Sequence, residues 1–174
     1  MLTRVESPDM EAMRRRLGHA GCVFDFVLYR VEGPEGPDAP GTEIHRQGLA
    51  GLFAQLEWPA QDVQLGRACP RRLDAPEVRA LAEEGGPLER AFLDPPYGTK
   101  LDQKDFRDWL AMLCVLPDDD LEAVDWVGHP DDAPERSTWS DYFDAGKEWW
   151  GIWCFTVFNP RCRTLCVLAA STTD

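Results

Sequence analysis

The hydrophobic positions of this chain are densest near its C-terminal end. Gly151-Ile-Trp-Cys-Phe-Thr-Val-Phe158 and Thr164-Leu-Cys-Val-Leu-Ala-Ala-Ser171 are apolar at nearly every position, rich in β-branched and aromatic residues, and free of charge. A strand with one wet side alternates apolar and polar residues, so these continuous runs predict strands covered on both faces. Asn159-Pro-Arg-Cys-Arg163 lies between them, and Asn-Pro initiates turns. Residues 151–158 and 164–171 therefore read as the arms of a central β-hairpin.

Upstream the pattern shifts repeatedly between helical and strand periods. Ser7-Pro8 caps and opens a short helix with Met10, Met13 and Leu17 on one face and Gly18 as its stop. Gly21–Val31 is a strand candidate. The loop Gly33–Gly41, with three Pro and three Gly, would join it to a short strand at Thr42–Arg46. Leu49, Leu52, Phe53 and Leu56 predict a helix over 47–57 ended by Trp58-Pro59, although Gly48 and Gly51 lower its propensity. Asp62–Ala68 reads as a short strand, and Asp74–Glu84 as a capped helix closed by Gly85-Gly86.

Leu101–Cys114 carries the strongest helical signal: Asp102 caps it, acids fill its first turn, and Phe106, Trp109, Leu110 and Leu113 form a stripe. Pro117–Asp120 is a turn, Leu121–Val127 alternates like a half-buried strand, and His129–Ser137 is a polar loop. A short helix within 138–150 leads into the hairpin. No repeat or linker divides the chain. The expectation is one α+β domain over residues 1–174, with a mainly antiparallel sheet, the C-terminal hairpin at its centre and several short helices packed on it.

Composition narrows what such a domain does. No run approaches the roughly 18 to 20 apolar residues that span a bilayer, and the N-terminus lacks a signal-peptide core. A cytoplasmic location is expected, with Cys22, Cys69, Cys114, Cys154, Cys162 and Cys166 as reduced thiols. The net charge is −13, and residues 101–150 hold fourteen Asp/Glu against four Lys/Arg, which is −10 of it. That field repels nucleic-acid phosphates and anionic lipid and attracts a basic protein partner.

Two short strings look like chemistry. Phe92-Leu-Asp94-Pro95-Pro96-Tyr97-Gly98 resembles the Asp-Pro-Pro-Tyr motif of adenine-N6 and related nucleic-acid methyltransferases. The resemblance implies that Asp94 accepts hydrogen bonds from a target amino group while Tyr97 stacks on a flipped base. That family also needs a Gly-rich loop for S-adenosylmethionine, and this chain has no Gly-x-Gly. Gly128-His129-Pro130-Asp131-Asp132 resembles the zinc-binding His-Pro-Asp-Asp motif of LmbE-like deacetylases. The resemblance implies a small metal-dependent hydrolase in which His129 and Asp132 hold the metal and Asp131 is the base. A further His completes the family's site, and here only His19 and His45 remain, both far upstream.

Asp141-Tyr-Phe-Asp-Ala-Gly-Lys-Glu-Trp-Trp150 carries three carboxylates and four aromatics beside the hairpin. Asp144 and Glu148 stand one helical turn apart, the spacing of a carboxylate pair for acid–base work. Exposed Trp and Tyr among acids also make a recognition surface, with Asp141, Tyr142, Asp144, Glu148, Trp149 and Trp150 as its candidates. Cys162 and Cys166 flank the hairpin turn with Cys154 on the facing strand, a further conceivable metal set. No complete cofactor motif is present, and no cofactor is expected. The resulting reading is a non-enzymatic acidic binding protein, in its sharpest form a cytoplasmic immunity-type inhibitor of a basic protein.

Overall fold

The computed structural model describes residues 1–33, 41–56, 62–117 and 120–172, with backbone alone at 148 and 149. In chain order the elements are β1 (Leu2–Arg4), α1 (Pro8–Ala20), β2 (Asp25–Val31), α2 (Thr42–Phe53), β3 (Arg71–Arg72), α3 (Ala75–Ala82), α4 (Pro87–Leu93), α5 (Gln103–Met112), β4 (Glu122–Asp125), α6 (Asp144–Trp149), β5 (Ile152–Asn159) and β6 (Thr164–Ser171). The six strands pair antiparallel throughout, in the order β1-β2-β6-β5-β4-β3. This is the expected α+β architecture, with β5 and β6 in the middle of the sheet.

Local chemistry explains the elements that the sequence announces. Ser7 accepts from the Met10 N–H and Pro8 opens α1, which runs past Gly18 to Ala20 and stops at Gly21 in the left-handed region. Asp74 with Glu77, and Asp102 with Asp105, form reciprocal capping boxes at the starts of α3 and α5. At the hairpin turn the Asn159 side-chain oxygen Oδ1 accepts from the Arg161 and Cys162 N–H groups. Its amide donates to the Cys114 carbonyl at 2.8 Å, tying the turn to the end of α5.

The period of two along each strand divides the core between two faces of the sheet. On the first face Phe26, Leu28, Ala123, Val157, Cys166 and Leu168 meet α1, α3, α4 and α5, with Trp109 of α5 fully buried among Phe24, Phe26, Phe92 and Phe106. On the second face Val27, Tyr29, Val124, Trp126, Cys154, Leu165 and Val167 meet α2, Trp139 and Phe143. Helices on both sides are the reason the hairpin arms are apolar at nearly every position.

Several expectations are corrected. Thr42–Arg46 is the first turn and a half of α2, not a strand, and the end of the expected helix at 57–59 lies outside the described residues, as do 34–40 of the loop and 118–119 of the turn. Asp62–Ala68 is a 3-10 turn at Leu65–Arg67 preceded by a single bridge from Val63 to Ser140. From Ala123 to Asp125 the strand β4 is buried on both faces rather than half-buried. β1, β3 and α4 have no counterpart in the pattern reading. Three residues suffice for β1 because the edge of β2 supplies its hydrogen bonds. Pro87 after Gly86 opens α4 in the same way that Pro8 opens α1.

The glycines of α2 prove to be packing residues. A Cβ on Gly51 would stand 2.1 Å from the Tyr29 hydroxyl and one on Gly48 2.6 Å from Leu165 Cδ2, so bare backbone is what lets α2 settle on the sheet. Helix propensity favours Gly51→Ala by about 1 kcal/mol. The buried Tyr29 ring has to give way, and overpacking of this kind costs about 1–3 kcal/mol. Gly51→Ala is therefore expected to lower the thermal midpoint, whereas propensity alone would raise it; thermal unfolding followed by circular dichroism decides between the two.

Candidate functional site

The cover on the first face is incomplete at the β3–β4–β5 end. Along β5 every residue is buried except Trp153 and Phe155, which point to that face and remain half-buried. Above them α3 and the start of α4 stand off from the sheet and leave a cavity of about 440 Å³. Its apolar walls are Leu73, Leu81, Leu88, Trp150, Trp153 and Phe155. Trp150 and Trp153 lie with ring centroids 4.3 Å apart at 48°. Gly151 makes this possible: its φ is +141°, and a Cβ there would meet the Trp153 ring at 2.6 Å.

One end of the cavity is polar. Arg71 and Asp125 are register partners on β3 and β4, and Asp125 in turn faces Phe155 on β5, so all three side chains stand on one face. Arg71 Nη1 donates to both Glu77 oxygens, at 2.9 and 3.0 Å. The Glu77 carboxyl is held below its ordinary pKa by the Asp74 N–H first and by Arg71 next. The buried Asp125 carboxylate accepts from the Val127 and Gly128 N–H groups at 3.0 and 2.9 Å and from Arg136 Nη1 at 3.2 Å. Arg136 also donates to the Cys69 carbonyl, pinning the loop after β4 to the segment before β3. The cavity's charges are thus paired, Arg71 with Glu77 and Asp125 with Arg136.

The sequence candidates are spread over several places. His129 lines the cavity, but Asp131 and Asp132 are exposed on the turn that follows, and His129 Nδ1 accepts from the Asp131 N–H at 3.3 Å. Among the described residues no group of three or more His, Cys, Asp or Glu is placed to hold a metal ion. His45 is fully buried on the second face, away from His129. Cys154 and Cys166 point to opposite faces of the sheet, Cys162 is exposed in the turn, and burial pushes the two core thiols up as free, unreactive groups. Asp94 ends α4 rather than a buried strand, and Tyr97 is 79 % exposed.

The 141–150 segment is divided by the sheet. Trp150 belongs to the cavity on the first face, whereas Tyr142 packs on Phe53 and Phe143 with the second. Asp144 is exposed and pairs with Lys147 at 2.8 Å, Asp141 accepts from the Asp62 N–H at 3.2 Å, and the side chains of Glu148 and Trp149 lie outside the described residues. The Tyr142 hydroxyl donates to Asp25 at 2.8 Å. Burial, then the Asp25 charge, holds this phenol well above its ordinary pKa, so it stays a donor. A hydrogen bond to a charged group contributes about 1.5–3 kcal/mol, and Tyr142→Phe is expected to lose an amount near the lower figure, measured by urea unfolding; no change in midpoint would show the bond to be idle.

Arg71, Leu81, Glu77 and Leu88 were not legible as site residues. They come from a two-residue strand and two short helices whose spacing from the sheet no local pattern encodes. The one available signal was Trp150, Trp153 and Phe155 together, three large aromatics within six residues on and before a central strand.

Compared with known proteins, the chain matches no protein-family model, and a search of the curated proteins returns no similar sequence.

Proposed function

We infer that this protein acts by binding a basic protein, and that its sharpest role is that of an immunity-type inhibitor which neutralises such a partner. The observation that carries the reading is the charge of residues 101–150, −10 of a total −13. Asp102, Asp120, Asp131, Asp132, Glu135, Asp141 and Asp144 of that stretch are exposed. Exposed carboxylates of one sign accelerate the encounter with a cationic surface and disfavour polyanions. Among the described residues no helix is long and apolar enough to cross a membrane.

The test is capture from a lysate by the immobilised protein and by Asp131→Asn/Asp132→Asn/Glu135→Gln. A single basic polypeptide held by the wild type at low ionic strength, released by salt and held weakly by the triple variant is the expected result. Retention of proteins no more basic than the lysate average, or retention indifferent to salt, would overturn the reading.

A further inference from the structure

We propose that the cavity between α3 and β5 is the anchor point of that interface and receives one large uncharged side chain, aromatic or long aliphatic, from a basic segment of the partner. The inference rests on the basic-partner reading and adds to it the place and chemistry of the contact. Size is the first reason. A volume of about 440 Å³ lies within the range of sites that bury a ligand group of several rings or branches, and is well above the space a bound water needs.

Charge decides the occupant. A cation pushed into the cavity meets Arg71, and an anion meets Glu77 and the buried Asp125. Each of these groups already has its counter-ion, so a charged guest would have to break a pair to be received. An uncharged guest meets Trp150, Trp153, Phe155 and Leu81, which are half-buried in the free protein and gain cover when it enters. Outside the cavity acids outnumber bases. The α3 wall continues into exposed Glu83 and Glu84, and the His129-Pro130 wall into exposed Asp131 and Asp132, against Arg79 on α3 and Arg71, which is exposed but held by Glu77. An apolar seat whose walls run on into mostly acidic residues fits an apolar side chain flanked by Lys or Arg.

Three synthetic peptides serve as probes: a lysine-rich nonamer with a central Phe, the same peptide with Ala in its place, and a Ser-rich nonamer with the central Phe. Titration is followed by the protein's tryptophan fluorescence at low ionic strength, on the wild type and on Ala80→Trp, which fills the cavity from the half-buried wall of α3. The Lys-Phe peptide is expected to bind the wild type about tenfold tighter than Lys-Ala, as about 1.4 kcal/mol of apolar burial gives. In Ala80→Trp that difference should vanish while Lys-Ala binding stays unchanged. Equal binding of the two lysine peptides to the wild type would overturn the anchor and leave the charge reading standing. Failure of both to bind would overturn the charge reading itself. Ser-Phe binding as tightly as Lys-Phe would make the cavity a seat for uncharged ligands without a basic partner, which also overturns the proposal.

Discussion

Arg136→Ala is expected to destabilise the fold by about 3 kcal/mol, the low end of what breaking a buried ion pair costs. Asp125 is 5 % exposed, and its Oδ2 has Arg136 Nη1 at 3.2 Å as its near cation. Removing the guanidinium leaves a carboxylate in a cavity wall of Trp, Phe and Leu side chains. Arg71 Nη2, 3.9 Å away, is too far for a hydrogen bond but close enough to hold the loss near the lower limit. The same substitution frees the Asp125 and Cys69 carbonyls that Arg136 Nη2 caps at 2.7 and 3.2 Å. Urea unfolding of Arg136→Ala, Asp125→Asn and the double variant measures the pair. The expected outcome is a double variant less destabilised than the sum of the singles by at least about 1 kcal/mol, since neutral Asn no longer needs the cation. A loss below about 1 kcal/mol for Arg136→Ala would mean the pair behaves as a surface one.

The second large effect is acid sensitivity originating at His45. Thr156 Oγ1 accepts from Trp126 Nε1 at 2.9 Å and shares a hydrogen bond with His45 Nδ1 at 2.8 Å. The other ring nitrogen, Nε2, is buried with no partner among the described residues. Burial, then the charge of Arg72, lowers the His45 pKa from 6.5 to about 4. The sign follows directly. Between those values the unfolded chain carries a proton on this ring and the folded one does not, so unfolding is favoured as the pH falls. The stability present above about pH 6.5 is lost progressively down to about pH 4, a total of about 3 kcal/mol at 1.36 kcal/mol per pH unit.

Other carboxylates titrate at the lower end of that window, so the informative quantity is the difference between wild type and His45→Gln. Gln fills a similar space and keeps a partner for Thr156, but takes up no proton. Its urea midpoint should fall less than that of the wild type between about pH 6.5 and pH 4.5. Parallel profiles for the two proteins would show that His45 titrates alike in the folded and unfolded chains.

Particular residues show how much of this was open to a reader of the sequence. Ser7-Pro8, Asp74 with Glu77, and Asp102 with Asp105 announce α1, α3 and α5, because a cap is made by residues three or four apart and needs nothing distant. The apolar runs 151–158 and 164–171 announce the central hairpin, because a strand covered on both faces has no polar alternate positions to show. Gly48 and Gly51 mislead when judged by propensity, since their role is to let α2 approach Leu165 and Tyr29 across more than a hundred residues in one case and about twenty in the other. Thr42–Arg46 misleads as well: its β-branched Thr and Ile suit a strand in isolation and are drawn into a helix by the face of Leu49, Leu52 and Phe53 that follows.

The site divides along the same line. Charge is additive along a chain, so the acidic excess of residues 101–150 is a property of the sequence alone. Membership of a cavity depends on which side of a sheet each side chain takes and on how far a helix stands from it. Tyr142 and Trp150 are eight positions apart and end on opposite faces, while Arg71 and Asp125, distant in sequence, become neighbours through strand register. By itself the sequence determined the capped helices α1, α3 and α5, the central hairpin and the acidity. Only tertiary packing decided that α3 would stand clear of Trp153 and Phe155, because a gap arises from the distance between elements, and no single element's composition specifies that distance.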